Sequence, residues 1–183
     1  MNYIRKISFL LLTTFFLLGF KKNTDWYSFE SRTGKFSIEF PQKPDTSSQI
    51  MNSPIGQLTM HLVIYEPKET PDDNFAYIVG HTVYPDSVIN SEKKSMVDGF
   101  FRSAVDGAVS NVKGKLLTEK KIELDGFPGR EVTMDFQNGQ AVILMKCFLV
   151  RNVMYILETI SESGKENNAS SGHFYQSFKL KKG

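Results

Sequence analysis

Three histidines and one cysteine are the side chains in this sequence best suited to ligate a metal or attack a carbonyl: His61, His81, His173 and Cys147. Their spacing argues against both uses. The histidines fall in separate stretches, without the HxH or HExxH pattern that aims two imidazoles at one ion, and no close acid partner accompanies any of them. A lone cysteine forms no intramolecular disulfide and no CxxC pair. Cys147 alternates with Ile143, Met145 and Leu149 in an apolar run, which reads as a small core side chain. Asp72 and Asp73 lack the spaced acids and glycine of a calcium loop and read as solvated charge. GxGxxG, P-loop and GxSxG patterns do not occur in the sequence. No catalytic, cofactor-binding or metal-ligating residue is therefore expected, and the ligand-binding residues stay open. A hydrolase with a dispersed triad remains the catalytic alternative, because triads are recognised by geometry rather than by order along the chain.

Other groups carry milder signals. Arg130 and Glu131 follow an Asp-Gly-Phe-Pro-Gly turn and read as an exposed ion pair at a strand start, which is worth little energetically. Trp26, Tyr27, Phe29, Tyr65, Tyr77 and Tyr84 either line a groove or pack across strands. Pro41 and Pro44 make an extended link or a weak PxxP ligand. Asn168-Ala169-Ser170 fits a glycosylation sequon, an incidental match if the chain is bacterial.

The chain has 183 residues and a formal net charge of +2. Arg5, Lys6, Lys21 and Lys22 lie in a stretch, Met1 to Lys22, that holds no acid; beyond it 18 basic residues face 20 acidic ones. That balance has no excess for neutralising phosphates, so nucleic acid is set aside as a partner. A composition of 40% hydrophobic and 13% aromatic residues is enough to bury a core and is unlike a disordered chain.

The first residues are basic, and Ile7 to Phe20 is an apolar run interrupted only by Ser8, Thr13, Thr14 and Gly19, the layout of a signal peptide. As a helix this run spans about 21 Å, short of a hydrocarbon core of about 30 Å. Leu17-Leu18-Gly19-Phe20 resembles the lipobox of bacterial lipoproteins with phenylalanine in place of the cysteine that is acylated. Residues 1–22 therefore read as a signal peptide or N-terminal membrane anchor and 23–183 as a single α+β domain.

Within that domain Lys35 to Phe40, Gly56 to Tyr65 and Phe75 to Tyr84 alternate as half-buried strands. From Glu92 to Val112 apolar residues recur about every four positions, an amphipathic helix with Asn90 or Ser91 as its cap, Asp98, Arg102 and Asp106 on its wet face, and Gly114 as its stop. A meander follows: Lys115 to Leu124, Arg130 to Phe136, Gln140 to Val150 and Val153 to Ile160. Asp125 to Gly129 supplies its long first turn, Asn138-Gly139 signals a type I′ hairpin, and Arg151-Asn152 closes the last, with asparagine tolerating the left-handed conformation. Ala141 to Val150 is apolar on both faces apart from Lys146, which predicts a covering layer on each side, the second including a helix over about Asn168 to Phe178. The expected class is α+β, a mostly antiparallel sheet of about six or seven strands with packed helices.

Gly34-Lys35-Phe36-Ser37-Ile38-Glu39-Phe40-Pro41, Gly126-Phe127-Pro128-Gly129-Arg130-Glu131, Phe148 to Leu157 and the closing Tyr175-Gln176-Ser177-Phe178-Lys179-Leu180 together resemble a group of small exported bacterial proteins of unassigned function with a PsbP-like fold. The resemblance implies an α/β/α sandwich and a non-catalytic binding domain outside the cytoplasm, periplasmic or membrane-associated on the extracellular face in a bacterium. The expectation is thus an accessory domain for another envelope protein, without a cofactor, touching the membrane only through its N-terminal segment. A carrier of an apolar small molecule between helix and sheet is the alternative. Oligomeric state is left open.

Overall fold

The computed structural model describes residues 25–53, 55–68 and 71–181, so the export segment read at 1–22 lies outside the described residues. In β2 (Phe36–Phe40) the alternation holds, with Phe36, Ile38 and Phe40 buried and Ser37 and Glu39 half-buried between them. β2 pairs with β1 (Tyr27–Ser31) on one side and β10 (Lys179–Leu180) on the other to make a small sheet. The remaining strands are β3 (Asp45–Ser53), β4 (Gly56–Tyr65), β5 (Asn74–Val83), β6 (Leu116–Leu124), β7 (Phe127–Phe136), β8 (Ala141–Val150) and β9 (Val153–Glu162). They form a seven-stranded sheet in the order β3-β4-β5-β9-β8-β7-β6. Every pairing among these strands is antiparallel.

Among the described residues the main sheet has seven strands, within the expected six or seven, and the small sheet brings the total to ten. β10, with two residues, is too short to show a period, and β1 fully buries none of its side chains. β3 is exposed on both faces over 45–50, and its apolar Ile50 and Met51 are adjacent, so no alternating signal arises.

The chain leaves the large sheet after β5 through α1 (Lys94–Asn111) and returns at the far edge as β6; the meander then works inward until β9 pairs with β5. α1 lays Val97, Phe101 and Val105 on one face of the sheet, against Val132, Met134, Ile143, Met145, Cys147 and Leu149. On the opposite face α2 (Ala169–Ser177) and the small sheet bring Phe174, Phe36, Ile38 and Phe40 onto Tyr77, Val79 and Leu157. β8 therefore sends Met145 and Cys147 into one cluster and Phe148 into the other. The expected layer on each face is present, and the second layer contains a small sheet as well as α2. The class is α+β in the broad sense, with sheet dominant and helices few.

The ends of α1 differ from the sequence reading. The residue preceding the first turn is Lys93, without a side-chain cap, and Asn90 Oδ1 instead accepts from the Glu92 amide at 3.0 Å in the loop before the helix. At the other end Lys113 takes the left-handed conformation (φ 52°), its amide donates to Ser110 O and the Gly114 amide to Val109 O, each at 3.1 Å, a Schellman pair. Gly114 is required for space: a Cβ there would sit 2.0 Å from Asp135 O.

The turns also shift. Asp125 (φ 51°) and Gly126 (φ 81°) are the whole β6–β7 turn, since Leu124 pairs with Phe127, and Pro128 and Gly129 already belong to β7. Asn138-Gly139 falls in a larger loop: Phe136 pairs with Ala141, and Gln137, Asn138 and Gly139 all have positive φ in a 3-10 turn. In the β8–β9 turn Arg151 (φ 54°), not asparagine, carries the left-handed conformation.

Candidate functional site

The fold brings together two histidines that the sequence separates. His61 on β4 and His81 on β5 are direct cross-strand partners, with rings stacked at 4.8 Å. The sequence does not show this pairing: Leu58, Met60, Leu62 and Ile64 make the more regular apolar face of β4 and exclude His61, and only the register that sets Val63 against Val79 and Tyr65 against Tyr77 brings the two histidines together. His81 is 4% exposed, and its Nδ1 has no hydrogen-bond partner. Burial disfavours the charged imidazole and adjacent His61 adds repulsion, which together lower the His81 pKa to about 4. His173 on α2 meets Glu39 of β2 at 2.6 Å and lies against the Trp26 ring at 4.2 Å. The expectation that no close acid partner accompanies these histidines is thus corrected for His173, which meets Glu39, while His61 and His81 are brought against each other and not against an acid. Among the described residues no group of three or more His, Cys, Asp or Glu is placed to hold a metal ion.

Cys147 is fully buried in the α1-facing cluster, and burial pushes its thiol up to about 12, leaving negligible thiolate at neutral pH. Arg130 departs from the sequence reading. It lies inside β7, not at its start, and is only 5% exposed. Its guanidinium lies over the Phe101 ring at 4.7 Å, with Nε 3.3 Å from Glu119 Oε1, Nη1 donating to Gly129 O, and Nη2 paired with Asp98 of α1. The signal was the alternation Arg130, Val132, Met134, which puts Arg130 on the core face; charge alone points the other way. Glu131 turns to the other face and pairs with Lys120 at 2.7 Å and Lys146 at 3.0 Å. Burial pushes its carboxyl up, but the hydrogen bonds from these lysines outweigh that and hold it below the usual range.

The aromatic set does not line one groove. Trp26, Phe29, Tyr65 and Tyr77 pack on the α2-facing cluster, Tyr84 stacks edge-on with Phe100 on the opposite face, and Tyr27 is exposed. Asp72 is more than solvated charge: it accepts from Tyr77 Oη at 2.6 Å and from the Asn74 amide at 2.8 Å. Asn74 continues this network to Asn168, which caps α2 by accepting from the Ser171 amide at 2.7 Å. The sequon's asparagine is therefore occupied in holding α2 to the sheet.

Among the described residues, three features open to solvent bear on function. The first is the β3 edge: over Asp45–Ser53 no described backbone group outside β4 pairs with it, Thr46 to Asn52 carries no charge, and Ile50 is 66% exposed. The second is a cleft of about 820 Å³ at the end of the sandwich where the β1–β2, β6–β7 and β8–β9 turns meet. A shallower hollow of about 390 Å³ lies over His61 and His81, between β1 and β3.

Among the described residues no helix is long and apolar enough to cross a membrane. No protein-family model matches the chain, and no curated protein matches it. The chain is similar in fold to cyanobacterial PsbP from Synechocystis sp. PCC 6803, with a TM-score of 0.47 and 12% identity over 88% of this chain and 96% of that one. It is also similar to a protein of unknown function from Pseudomonas aeruginosa, with a TM-score of 0.36 and 10% identity over 77% of this chain and 85% of that one.

Proposed function

We propose that this chain is a non-enzymatic accessory domain, exported to the cell envelope, whose β3 edge takes up an extended segment of another envelope protein as an added strand. The observation that carries the reading is the edge itself. Natural sheets protect long edges with charges, prolines, bulges or short strands, because unpaired N–H and C=O groups template pairing with another chain. β3 runs nine residues, pairs with β4 in unbroken register and has none of these devices between Thr46 and Asn52. Main-chain hydrogen bonds along such an edge supply affinity, and alternate side chains such as Ile50 supply selectivity. Export is supported by the basic start and the apolar run Ile7 to Phe20. The absence of bond-making chemistry is supported by the protonated, buried Cys147 thiol and by ion pairs that serve to hold elements together. The interval between α1 and the sheet is filled by Phe101, Val105, Met134 and Met145, which leaves the carrier reading without support at that place.

The test is affinity purification of the tagged chain from envelope fractions, beside a Ser48→Lys/Ile50→Lys variant that charges the edge. A reproducible partner that the wild type retains and the variant loses is the expected result. Equal recovery by both, or repeated recovery of nothing, contradicts the reading. The intact mass of the envelope-derived protein should lack the leading apolar run; an untrimmed chain free in the cytosol would count against export.

A further inference from the structure

The end cleft has the size of small-molecule sites, which span about 300–1,000 Å³. Its floor is apolar: Phe127 of β7, Val150 of β8, Val153 of β9 and Leu180 of β10 come together there. Its rim is charged, with Lys35, Arg151 and Lys181 facing Asp125. Lys181 is engaged by Glu30 at 3.0 Å. The side chains of Lys35 and Arg151 meet no carboxylate or other hydrogen-bonding partner among the described residues. Two uncommitted cations against one carboxylate leave a net single positive charge above an apolar floor.

The backbone adds an independent point. Lys35 (φ 50°) and Arg151 (φ 54°) both occupy the left-handed region, where glycine fits without strain and a long side chain does not. Turn formation alone favours glycine or asparagine at both positions, so both cations stand against the local preference, as Lys113 does at the end of α1. Strained residues of this kind gather at ligand sites, where the side chain is what the site needs.

We propose that this cleft binds an amphipathic carboxylate, a small monoanion with an apolar body, whose head group lies between Lys35 and Arg151 and whose body covers Phe127, Val150, Val153 and Leu180. The proposal does not rest on the β3 edge, which contributes nothing to the lining. A phosphate or other compact dianion fits less well, because it would leave the apolar floor uncovered and meet Asp125 with twice the charge.

The test is calorimetric titration of the full chain with decanoate, with acetate and decyltrimethylammonium as controls. Decanoate is expected to bind with one-to-one stoichiometry, while acetate lacks the body and the ammonium amphiphile lacks the charge. A Lys35→Gly/Arg151→Gly variant removes both cations while relieving backbone strain, so it is expected to fold at least as well as the wild type. It should bind decanoate about tenfold more weakly, since two charge-assisted contacts are lost at a solvent-facing rim. Failure of decanoate to bind in the millimolar range, equal binding of the cationic amphiphile, or undiminished binding by the variant would each overturn the proposal.

Discussion

The two edges of the large sheet are opposites. β6 carries Glu119, Lys120, Lys121 and Glu123, and three of these four charges are spent on neighbours: Glu119 on Arg102 and Arg130, Lys121 on Asp98, Lys120 on Glu131. A register shift between Leu116 and Thr118 further breaks the line of the strand. β3 has unbroken pairing with β4 and no charge from Thr46 to Asn52. The backbone of an edge strand is equally ready to pair in both cases. What differs is whether side chains defend it, and here one edge is closed by ion pairs that also fasten α1 while the other is left available.

Removing the anchor of the closed edge should have the largest effect. Arg130→Ala deletes a buried guanidinium, leaves a void beside Phe101 and releases Asp98 and Glu119; urea unfolding should show a loss of about 3 kcal/mol. A central reference point comes next. Glu158 on β9, opposite Met145 and Ile78 and without an ion pair among the described residues, is pushed by burial up to about 7. An acid whose folded pKa is raised binds more protons folded than unfolded between the two values, so stability falls as pH rises from about 4.5 to about 7, by on the order of 2 kcal/mol. Glu158→Gln should flatten that part of the stability profile, and a profile unchanged by the substitution would contradict the assignment.

Smaller effects follow at the two margins. Gly99 and Gly107 lie on α1 with nothing within 4 Å of a Cβ built there, so replacing either with alanine should stabilise the helix that buttresses β6 by about 0.5–1 kcal/mol in thermal melts. Ser48→Lys with Ile50→Lys on β3 should shift stability by no more than about 0.5 kcal/mol, because both side chains are exposed. A large loss there would mean that β3 serves the fold and not a partner.

This contrast was half legible in the sequence. The bounds of β4 were readable from alternation, and both helices from the period of their apolar residues, because each helix buries one face and leaves the other wet. β3 was invisible because it buries neither face, and period is a signature of burial. Arg130 misled because residue type and alternation disagree there, and alternation won: Phe101, Asp98 and Glu119 make a buried guanidinium tolerable. The end cleft could not be read at all. Lys35, Asp125 and Arg151 are distant in sequence, and only the folding of three separate hairpins brings their turns to one end.

Amide hydrogen exchange on the chain alone and with a protein captured on it from envelope fractions tests the distinction between the edges most directly. The account predicts that peptides spanning 45–53 gain protection in the complex while those spanning 116–124 exchange as before. Protection along 116–124 with none along 45–53 would contradict it.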